Sequence, residues 1–338
     1  MRLALVGWAA DSGVGRELID AIKNLPVTSA FILKNDNKPT RKDLLTNVPH
    51  HLATKQDPLD EMERYLNEHK PDTILTWEVP GAWGFPEIWK KHGIRWVHVV
   101  HWDWFVQSHY SIWKDAVLVS PNKMCQRGLL QSYKLESKLL PVPIDTESFP
   151  FRLREKAKIF MSVYGYGGLH ARRGLMQIYS AWRSLQTKPP LIIRAQERPY
   201  DSPIPYGVTI NLGSTPEPLG LFMSGDVAVQ LSRYEGVGVT LLEAQACGIP
   251  VITVDAEPMN ELAPDLLVPV EKTETVVLCG KNLPSYIGSS VGLSKLIKEV
   301  HGKDITELSR MARKRVEERY SWDVLRPEWL RLLEGSLT

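Results

Sequence analysis

The chain has 338 residues, of which 43% are hydrophobic and 24% charged, and its formal net charge is +2. This length and composition predict a folded globular protein of two domains, and the small net charge excludes a general electrostatic attraction to nucleic acid or anionic lipid. No apolar run approaches the roughly 18 residues of a membrane span, and the cysteines lack metal-binding spacing. We therefore expect a cytoplasmic protein with reduced cysteines and no integral membrane segment.

Short apolar strands alternate with helices along the first 150 residues. The chain opens with a strand at 2–7, a glycine-bearing loop at 8–14 and a helix at 15–24. The later predicted strands and helices lie at 28–36, 60–70, 72–78, 87–93, 94–101, 115–121 and 137–145. Because strands that alternate with helices pair in parallel, the pattern predicts a doubly wound α/β sheet.

The same pattern begins again after the segment TESFPFRLREK at 146–156. A strand, a glycine-rich loop and a helix follow between 157 and 185, and further apolar strands come after them. We predict two Rossmann-like α/β domains at 1–150 and 151–320, with a C-terminal helix at 321–338 that crosses back to the first domain. Ligands of open α/β sheets bind beyond the carboxyl ends of the strands, so the domains are expected to face a central cleft.

The second glycine loop, GYGGLHARRG at 165–174, joins a strand to a helix. Glycines let backbone N–H groups approach a ligand, and a helix N-terminus favours an anion. Arg172 and Arg173 would be unfavourable beside that terminus unless an anion such as a phosphate lies there; the alternative is a solvated pair of arginines.

The stretch SRYEGVGVTLLEAQACGIPVIT at 232–253 carries two acids around a glycine-rich turn. The turn Gly236–Val237–Gly238 would bring backbone amides towards a phosphate. Glu235 and Glu243 suit the hydroxyl groups of a sugar, because ionised carboxylates only accept hydrogen bonds. The alternative for each acid alone is ordinary: a solvated loop residue and a charge that satisfies the helix dipole.

The string from Glu235 to Glu243, with the residues that follow, resembles the Glu-x7-Glu signature of retaining glycosyltransferases of the GT-B fold, in the family-4-like group (glycosyl transferases group 1). The segments SGVGRE, SVYGYGGLHARRGLMQIYSAW and YSWDVL are similar to further parts of that family, so the resemblance covers nearly the whole chain. It implies transfer of a hexose from a nucleoside-diphosphate sugar, UDP or GDP, to a hydroxyl acceptor. It implies no cofactor and no metal. The first domain would bind the acceptor and the second the nucleotide sugar.

The resemblance also implies roles for single residues. Glu235 would bind the donor sugar near its transferred carbon, Glu243 the ribose hydroxyls, and Arg173 the diphosphate. Gly13 and Gly15 would face the donor phosphates. His101 would lie near the reacting carbon, with His98 as the alternative on the same side of the strand.

The sequence departs from the family pattern at two places. The phosphate-binding arginine of the family falls on Gly168, and Arg172 and Arg194 are candidates to replace it. Pro258 and Met259 stand where small residues are expected, which leaves the identity of the donor sugar open.

The acceptor is the least defined part of the reaction. Seven of the eleven tryptophans fall between Trp77 and Trp113, and exposed members could stack on a sugar or a base, whereas the others would be core. A glycan, a lipid-linked sugar or a small molecule is expected, and a modified base in DNA is the alternative.

Two other classes of protein compete with a transferase. One is a nicotinamide-dependent oxidoreductase, suggested by Asp36 at the end of a strand, although GVGREL lacks the G-x-G-x-x-G spacing. The other is a non-catalytic nucleotide-sugar binder.

Overall fold

The computed structural model describes residues 1–34, 40–41, 45, 47–54, 57–78, 84–106, 110–165, 172–197, 203–215 and 218–336. The described part of the chain divides into two compact units. The first consists of Met1–Pro143, Leu278–Lys281 and Leu325–Thr338, and the second of Ile144–Val277 and Asn282–Val324. The predicted boundaries near 150 and 320 lie a few residues from these limits, and the short segment Leu278–Lys281 was not part of the prediction.

In the described residues of the first unit, seven strands form a sheet of order β3-β2-β1-β4-β5-β6-β7, and every pair is parallel. The strands are β1 (Leu3–Gly7), β2 (Val27–Ile32), β3 (His50–Leu52), β4 (Thr73–Trp77), β5 (Arg95–Val99), β6 (Val117–Ser120) and β7 (Lys138–Leu139). The helices are α1 (Gly13–Asn24), α2 (Pro58–His69), α3 (Phe85–Lys91), α4 (Tyr110–Trp113) and α5 (Lys123–Tyr133).

The second unit repeats this design with a sheet of order β10-β9-β8-β11-β12-β13, six strands in its described part, all parallel. The strands are β8 (Phe160–Tyr164), β9 (Leu191–Ala195), β10 (Val208–Leu212), β11 (Val227–Gln230), β12 (Val251–Val254) and β13 (Leu266–Val268). The helices are α6 (Leu175–Ser184), α7 (Val239–Ala246), α8 (Met259–Leu262), α9 (Ser290–Val300) and α10 (Thr306–Arg319). Both sheets confirm the predicted parallel α/β class.

A separate pair of strands, β14 (Val270–Leu278) and β15 (Lys281–Gly288), is joined by Cys279 and Gly280. Both linking residues have positive φ, 51° and 76°, the conformation that a two-residue hairpin turn requires. The sequence predicts no strands here, because the alternation of apolar residues is weak in a ribbon that is exposed along much of β14.

The last helix, α11 (Trp322–Glu334), belongs mostly to the first unit. Trp329 Nε1 donates a hydrogen bond to the Pro141 carbonyl oxygen at 3.1 Å, and Arg95 Nη2 donates to the Leu332 carbonyl oxygen at 3.1 Å. These bonds fasten the C-terminal helix to loops and strands of the unit that starts the chain. No helix in the described ranges is long and apolar enough to cross a bilayer.

Local sequence explains where these elements begin. The side chains that cap the first turns of α1, α2, α5 and α9 each accept a hydrogen bond from the backbone N–H three residues on; they are Ser12, Asp57, Asn122 and Ser289. The central strands β1, β4 and β8 are buried along their whole length, as expected for parallel sheets covered by helices on both faces.

The strand orders fix where a ligand can bind. In the first sheet the direction of winding reverses between β1 and β4, and in the second it reverses between β8 and β11. Loops that leave the carboxyl ends of the two strands at such a reversal turn to opposite faces, and the crevice between them is the usual ligand site of an open α/β sheet. A ligand site is therefore expected at the loops after β1, β4, β8 and β11.

Arg154 joins several loops of the second unit through hydrogen bonds to their carbonyl oxygens. Its buried guanidinium donates to the carbonyl oxygens of Gly225 at 2.9 Å, Arg152 at 2.5 Å, and Cys247 and Phe222 at 3.4 Å each. Burial lowers the pKa of Arg154. Removing the guanidinium would leave several buried carbonyl groups without donors.

We expect Arg154→Met to lower the free energy of unfolding by about 3 kcal/mol, on the order of 10 °C in Tm. Thermal and urea unfolding measure this. Arg152→Met is the matched control, since Arg152 is exposed and donates one bond, at 3.3 Å, to the Met223 carbonyl oxygen. Equal losses in the two variants would contradict the role given to Arg154.

Candidate active site

His101 lies between two carboxylates in the first unit. Its Nδ1 is 2.6 Å from Glu78 Oε1, and its Nε2 is 3.0 Å from Glu17 Oε2. Glu17 lies on α1, which follows β1, and Glu78 comes directly after β4 with a φ of 47°. The segments that follow the two strands at the reversal of the first sheet thus supply both carboxylates, and the loop after β5 supplies the histidine.

These contacts determine the protonation of the histidine. Burial alone would lower the pKa of His101, but the carboxylates of Glu17 and Glu78 outweigh it and hold that pKa well above its ordinary value. Burial raises the pKa of Glu17, and the positive charge of His101 opposes that rise. With an N–H donated to each carboxylate, the imidazolium has no lone pair left to accept a proton. The two carboxylates thus favour a positively charged His101.

His98 has a different environment. Its Nδ1 lies 2.7 Å from Thr76 Oγ1, and its ring packs against those of Trp96 and Trp113 with centroids 5.8 Å and 4.6 Å away. Burial lowers the pKa of His98 to about 3, with His101 adding to the shift, so the ring is neutral. The expectation that the two histidines share one strand face is wrong, because the strand ends at Val99 and because residues three positions apart point to opposite faces of a strand.

The two glycines of the first glycine loop, Gly13 and Gly15, have different surroundings. A Cβ on Gly15 would lie inside contact distance of the Ala10 backbone, 2.6 Å from its nitrogen, whereas a Cβ on Gly13 would meet nothing within 4 Å. Gly15 is therefore required because α1 packs directly on the preceding loop. Gly13 faces open space at the first turn of the helix, where a ligand could approach.

In the second unit, Glu235 is held by both predicted arginines. Arg172 Nη2 is 2.9 Å from Glu235 Oε2, and Arg173 Nη1 bonds both Glu235 Oε1 and, at 3.1 Å, Ser232 Oγ. Arg172 also lies over the ring of Tyr234, 5.2 Å from its centroid. The arginines follow β8 and the glutamate follows β11, so the cluster lies at the reversal of the second sheet.

The charges in this cluster oppose a large cost of burial. Glu235 is 5% exposed, and burial alone would raise its pKa, but Arg173 and Arg172 outweigh burial and lower it. Glu235 is thus ionised and can only accept hydrogen bonds. The three side chains sum to a formal charge of +1, which suits an anion at this edge.

The turn after Glu235 is shaped by close packing. Gly238 caps α7 with a φ of 78°, and a Cβ there would lie 2.5 Å from Leu262 Cδ1. Val237 and Gly236 are buried in the same turn, and Glu243 is buried on α7, which begins at Val239. The structure therefore brings the turn and both glutamates of the signature to one strand–helix junction.

Arg194 stands on β9 beside β8, paired in register with Val163. Its Nε is buried and has no hydrogen-bond partner among the described residues. Gly168, where the family arginine is missing, lies outside the described residues, as does Asp36. Met259 begins α8 fully buried, so the change from a small residue at this position serves the core of the unit.

Glu17, Glu78 and Ser232 are functional candidates that the sequence analysis missed. Glu78 directly follows β4, at the end of the predicted strand 72–78, and an acid at the carboxyl end of a strand is a signal that could have found it. Glu17 gives no such signal, because an acid on α1 reads as a solvent-facing residue until the histidine that it contacts is placed beside it.

Residues 208–267 match the model of the family described as glycosyl transferases group 1. The matched segment contains Glu235, the following turn and Glu243, so the resemblance predicted from those residues is confirmed over this segment. No curated protein matches the sequence.

Solved structures of similar fold cover almost the entire chain. A glycosyltransferase from Rickettsia africae ESF-5 has a TM-score of 0.73 at 14% identity, over 100% of this chain and 99% of its own. HepE of Anabaena, solved with UDP and glucose, has a TM-score of 0.72 at 14% identity, over 99% and 100%. Sucrose-phosphate synthase from Thermosynechococcus elongatus has a TM-score of 0.70 at 17% identity, over 99% and 98%. The predicted GT-B fold class is confirmed by these likenesses.

The protonated state of His101 predicts a pH dependence of stability. Because its pKa is raised in the folded protein, the stabilisation is fully present below the unfolded value of about 6.5 and is lost as the pH rises through the raised value. We expect the free energy of unfolding of wild type to exceed that of His101→Gln most at about pH 6, and the difference to shrink towards alkaline pH. Thermal unfolding across pH, with exposed His50→Gln as control, measures it. A difference that does not change with pH would contradict the assignment.

Substitutions of the two glycines of the first loop are expected to differ in their effect on stability. We expect Gly15→Ala to lower the free energy of unfolding by about 3 kcal/mol, because its Cβ forces the backbone around Ala10 to move, while Gly13→Ala leaves it within about 0.5 kcal/mol. Urea unfolding of both variants measures this. A comparable loss in Gly13→Ala would show that Gly13 is also required by packing.

Proposed function

We propose that this protein is a retaining glycosyltransferase that moves a hexose from a uridine-diphosphate sugar to a hydroxyl of a sugar-containing or small-molecule acceptor. The observation that carries the proposal is the junction in the second unit, where an ionised glutamate and two arginines meet at the reversal of a parallel sheet. UDP is favoured over GDP because HepE, a structural neighbour, was solved with UDP and glucose. A cytoplasmic location and the absence of a metal or cofactor stay predictions.

In the proposed reaction the acceptor oxygen forms a bond to the anomeric carbon on the face from which the nucleotide leaves. The bond from that carbon to the phosphate oxygen breaks, and the departing diphosphate takes the acceptor proton. Configuration is then retained and no protein base is needed, which agrees with a His101 whose ring nitrogens both face carboxylates.

The diphosphate would be held by cations and backbone amides of the second unit. Arg173 and Arg172 would exchange part of their contact with Glu235 for phosphate oxygens, because charge-assisted hydrogen bonds to a dianion are stronger than those to one carboxylate. Glu235 would then be available to sugar hydroxyls, and Glu243 to those of the ribose. Arg194 is the proposed substitute for the missing family arginine, since its buried Nε has no partner in the described residues.

A DNA acceptor has no specific support. Residues 1–150 carry 18 Lys and Arg against 18 Asp and Glu, and the cluster around His101 contains two carboxylates for one cation. A site that tracks phosphates needs an excess of positive charge. The non-catalytic binder stays open only through Gly168, and the same experiment tests it.

The first test is nucleotide release from UDP-, GDP-, ADP- and TDP-sugars, together with calorimetric titration of each nucleotide. We expect binding and release for the UDP-sugars, and for Glu235→Gln a loss in turnover of about 100- to 1,000-fold, while UDP binds at least as tightly as to wild type because Arg172 and Arg173 no longer share their charge with a carboxylate. The reason is that Glu235 is proposed to act on the sugar and not on the nucleotide.

Glu299→Gln is the matched control, because Glu299 is an exposed carboxylate on α9. Wild-type turnover in Glu235→Gln would contradict the role of that residue. Nucleotide binding without turnover in wild type, for any donor and acceptor, would favour the non-catalytic binder, and no binding at all would overturn the proposed function.

A further inference from the structure

The loop that follows β5 presents a tryptophan to solvent. From His101 to Phe105 all side chains are described, and four of the five are buried, whereas Trp104 is 48% exposed. Of the other tryptophans between Trp77 and Trp113, Trp83 lies outside the described residues and the rest are buried. A single exposed apolar residue is common, so this exposure needs a second observation before it indicates a site.

Lys281 supplies that observation. It belongs to the first unit and is 7% exposed, and its Nζ donates to the carbonyl oxygens of Phe105 at 2.7 Å and Asp103 at 3.3 Å. These carbonyls flank Trp104 on both sides. The Trp104 N–H itself donates to the His101 carbonyl oxygen at 2.9 Å, so the backbone of the tryptophan is held from three directions.

Burial lowers the pKa of Lys281, and Cys279 and the carboxylate of Asp103 oppose that shift. Its cation also lies 5.4 Å from the centre of the Trp102 ring. Trp102 in turn packs on α5, where a Cβ on Gly128 would be 2.6 Å from the ring. The loop is thus held by Lys281 and packs on α5 through Trp102, whereas the side chain of Trp104 is left exposed.

We propose that Trp104 is a stacking platform for a sugar ring of the acceptor, on a loop whose shape is set by Lys281 and His101. This inference rests on the proposed function, because it assigns the acceptor class of the same enzyme. A rigid aromatic face loses little conformational entropy when a ring with an apolar C–H face packs on it. Trp104 is linked through its own N–H to His101, the residue proposed to lie near the reacting carbon.

A sugar fits this surface better than a nucleobase of DNA. A DNA strand brings phosphates with its bases, and the charged groups next to this loop include the carboxylates of Glu17, Glu78 and Asp103 beside the cations of His101 and Lys281, which gives no excess of positive charge. Neutral sugar hydroxyls need no such excess.

Saturation-transfer NMR with the methyl glycosides of glucose, galactose, mannose and N-acetylglucosamine tests the proposal. We expect wild type to bind at least one of them, Trp104→Ala to bind it about tenfold more weakly, and Trp104→Phe to keep most of the affinity. Tyr206→Ala is the matched control, since Tyr206 is an aromatic residue of the second unit that is 85% exposed. Trp104 is at the surface, so its variants are expected to fold, and thermal unfolding checks this.

Calorimetric titration of UDP separates this proposal from the proposed function. UDP affinity is expected to be equal in wild type and Trp104→Ala. If no variant binds UDP while glycosides still bind through Trp104, the donor assignment fails and the platform stands. The platform is overturned if wild type binds none of the glycosides, if Trp104→Ala binds them as wild type does, or if a single-stranded thymidine oligonucleotide binds through Trp104 in their place.

Discussion

The ion cluster of Glu235 with Arg172 and Arg173 is the interaction on which the second unit's ligand edge depends. A carboxylate buried to this extent is stable only beside positive charge, because its desolvation is costly. The cations come from the loop after β8 and the carboxylate from the loop after β11, so the pairing draws together two loops that the sheet topology sends apart. If the phosphates of the proposed donor replace part of these arginine contacts, the position of Glu235 depends on donor binding.

The first unit also contains a buried ion cluster, and the formal charge of that cluster has the opposite sign. There two carboxylates after β1 and β4 surround one imidazolium, and the three side chains sum to −1, whereas the cluster around Glu235 sums to +1. Each cluster occupies the reversal of its own sheet, so the repeated topology supplies the location and the side chains supply the chemistry. The positive cluster of the second unit suits phosphates. The carboxylates of the first unit already contact His101, and this cluster suits neutral hydroxyls.

Much of this arrangement could be predicted from the sequence, because the residues around Glu235 form one continuous string and their local pattern fixes a strand, a turn and a helix. The alternation of strands and helices likewise gave both parallel sheets. The contacts of Glu17 and Glu78 with His101 could not be predicted, because they join residues 84 and 23 positions apart in the chain, although the place of Glu78 at a strand end marks it as a candidate. The hairpin β14–β15 could not be predicted because its strands are half exposed. The contacts of Lys281 with the loop after β5 could therefore not be predicted either.

The glycines show why a motif alone overstates ligand contact. Gly15 and Gly238 match a phosphate-binding pattern, yet a Cβ at either would collide with Ala10 or Leu262 before any ligand is considered. The same holds for Gly174, whose φ is 65° and whose Cβ would lie 2.9 Å from Leu231 Cβ. These positions need glycine because helix, strand and turn approach closely, and that approach in turn aims the helix N-termini at the sheet edge. Gly13 differs, since nothing in the described protein limits a side chain there. In such loops, then, the glycine that packing does not explain is the one whose substitution reports on the ligand.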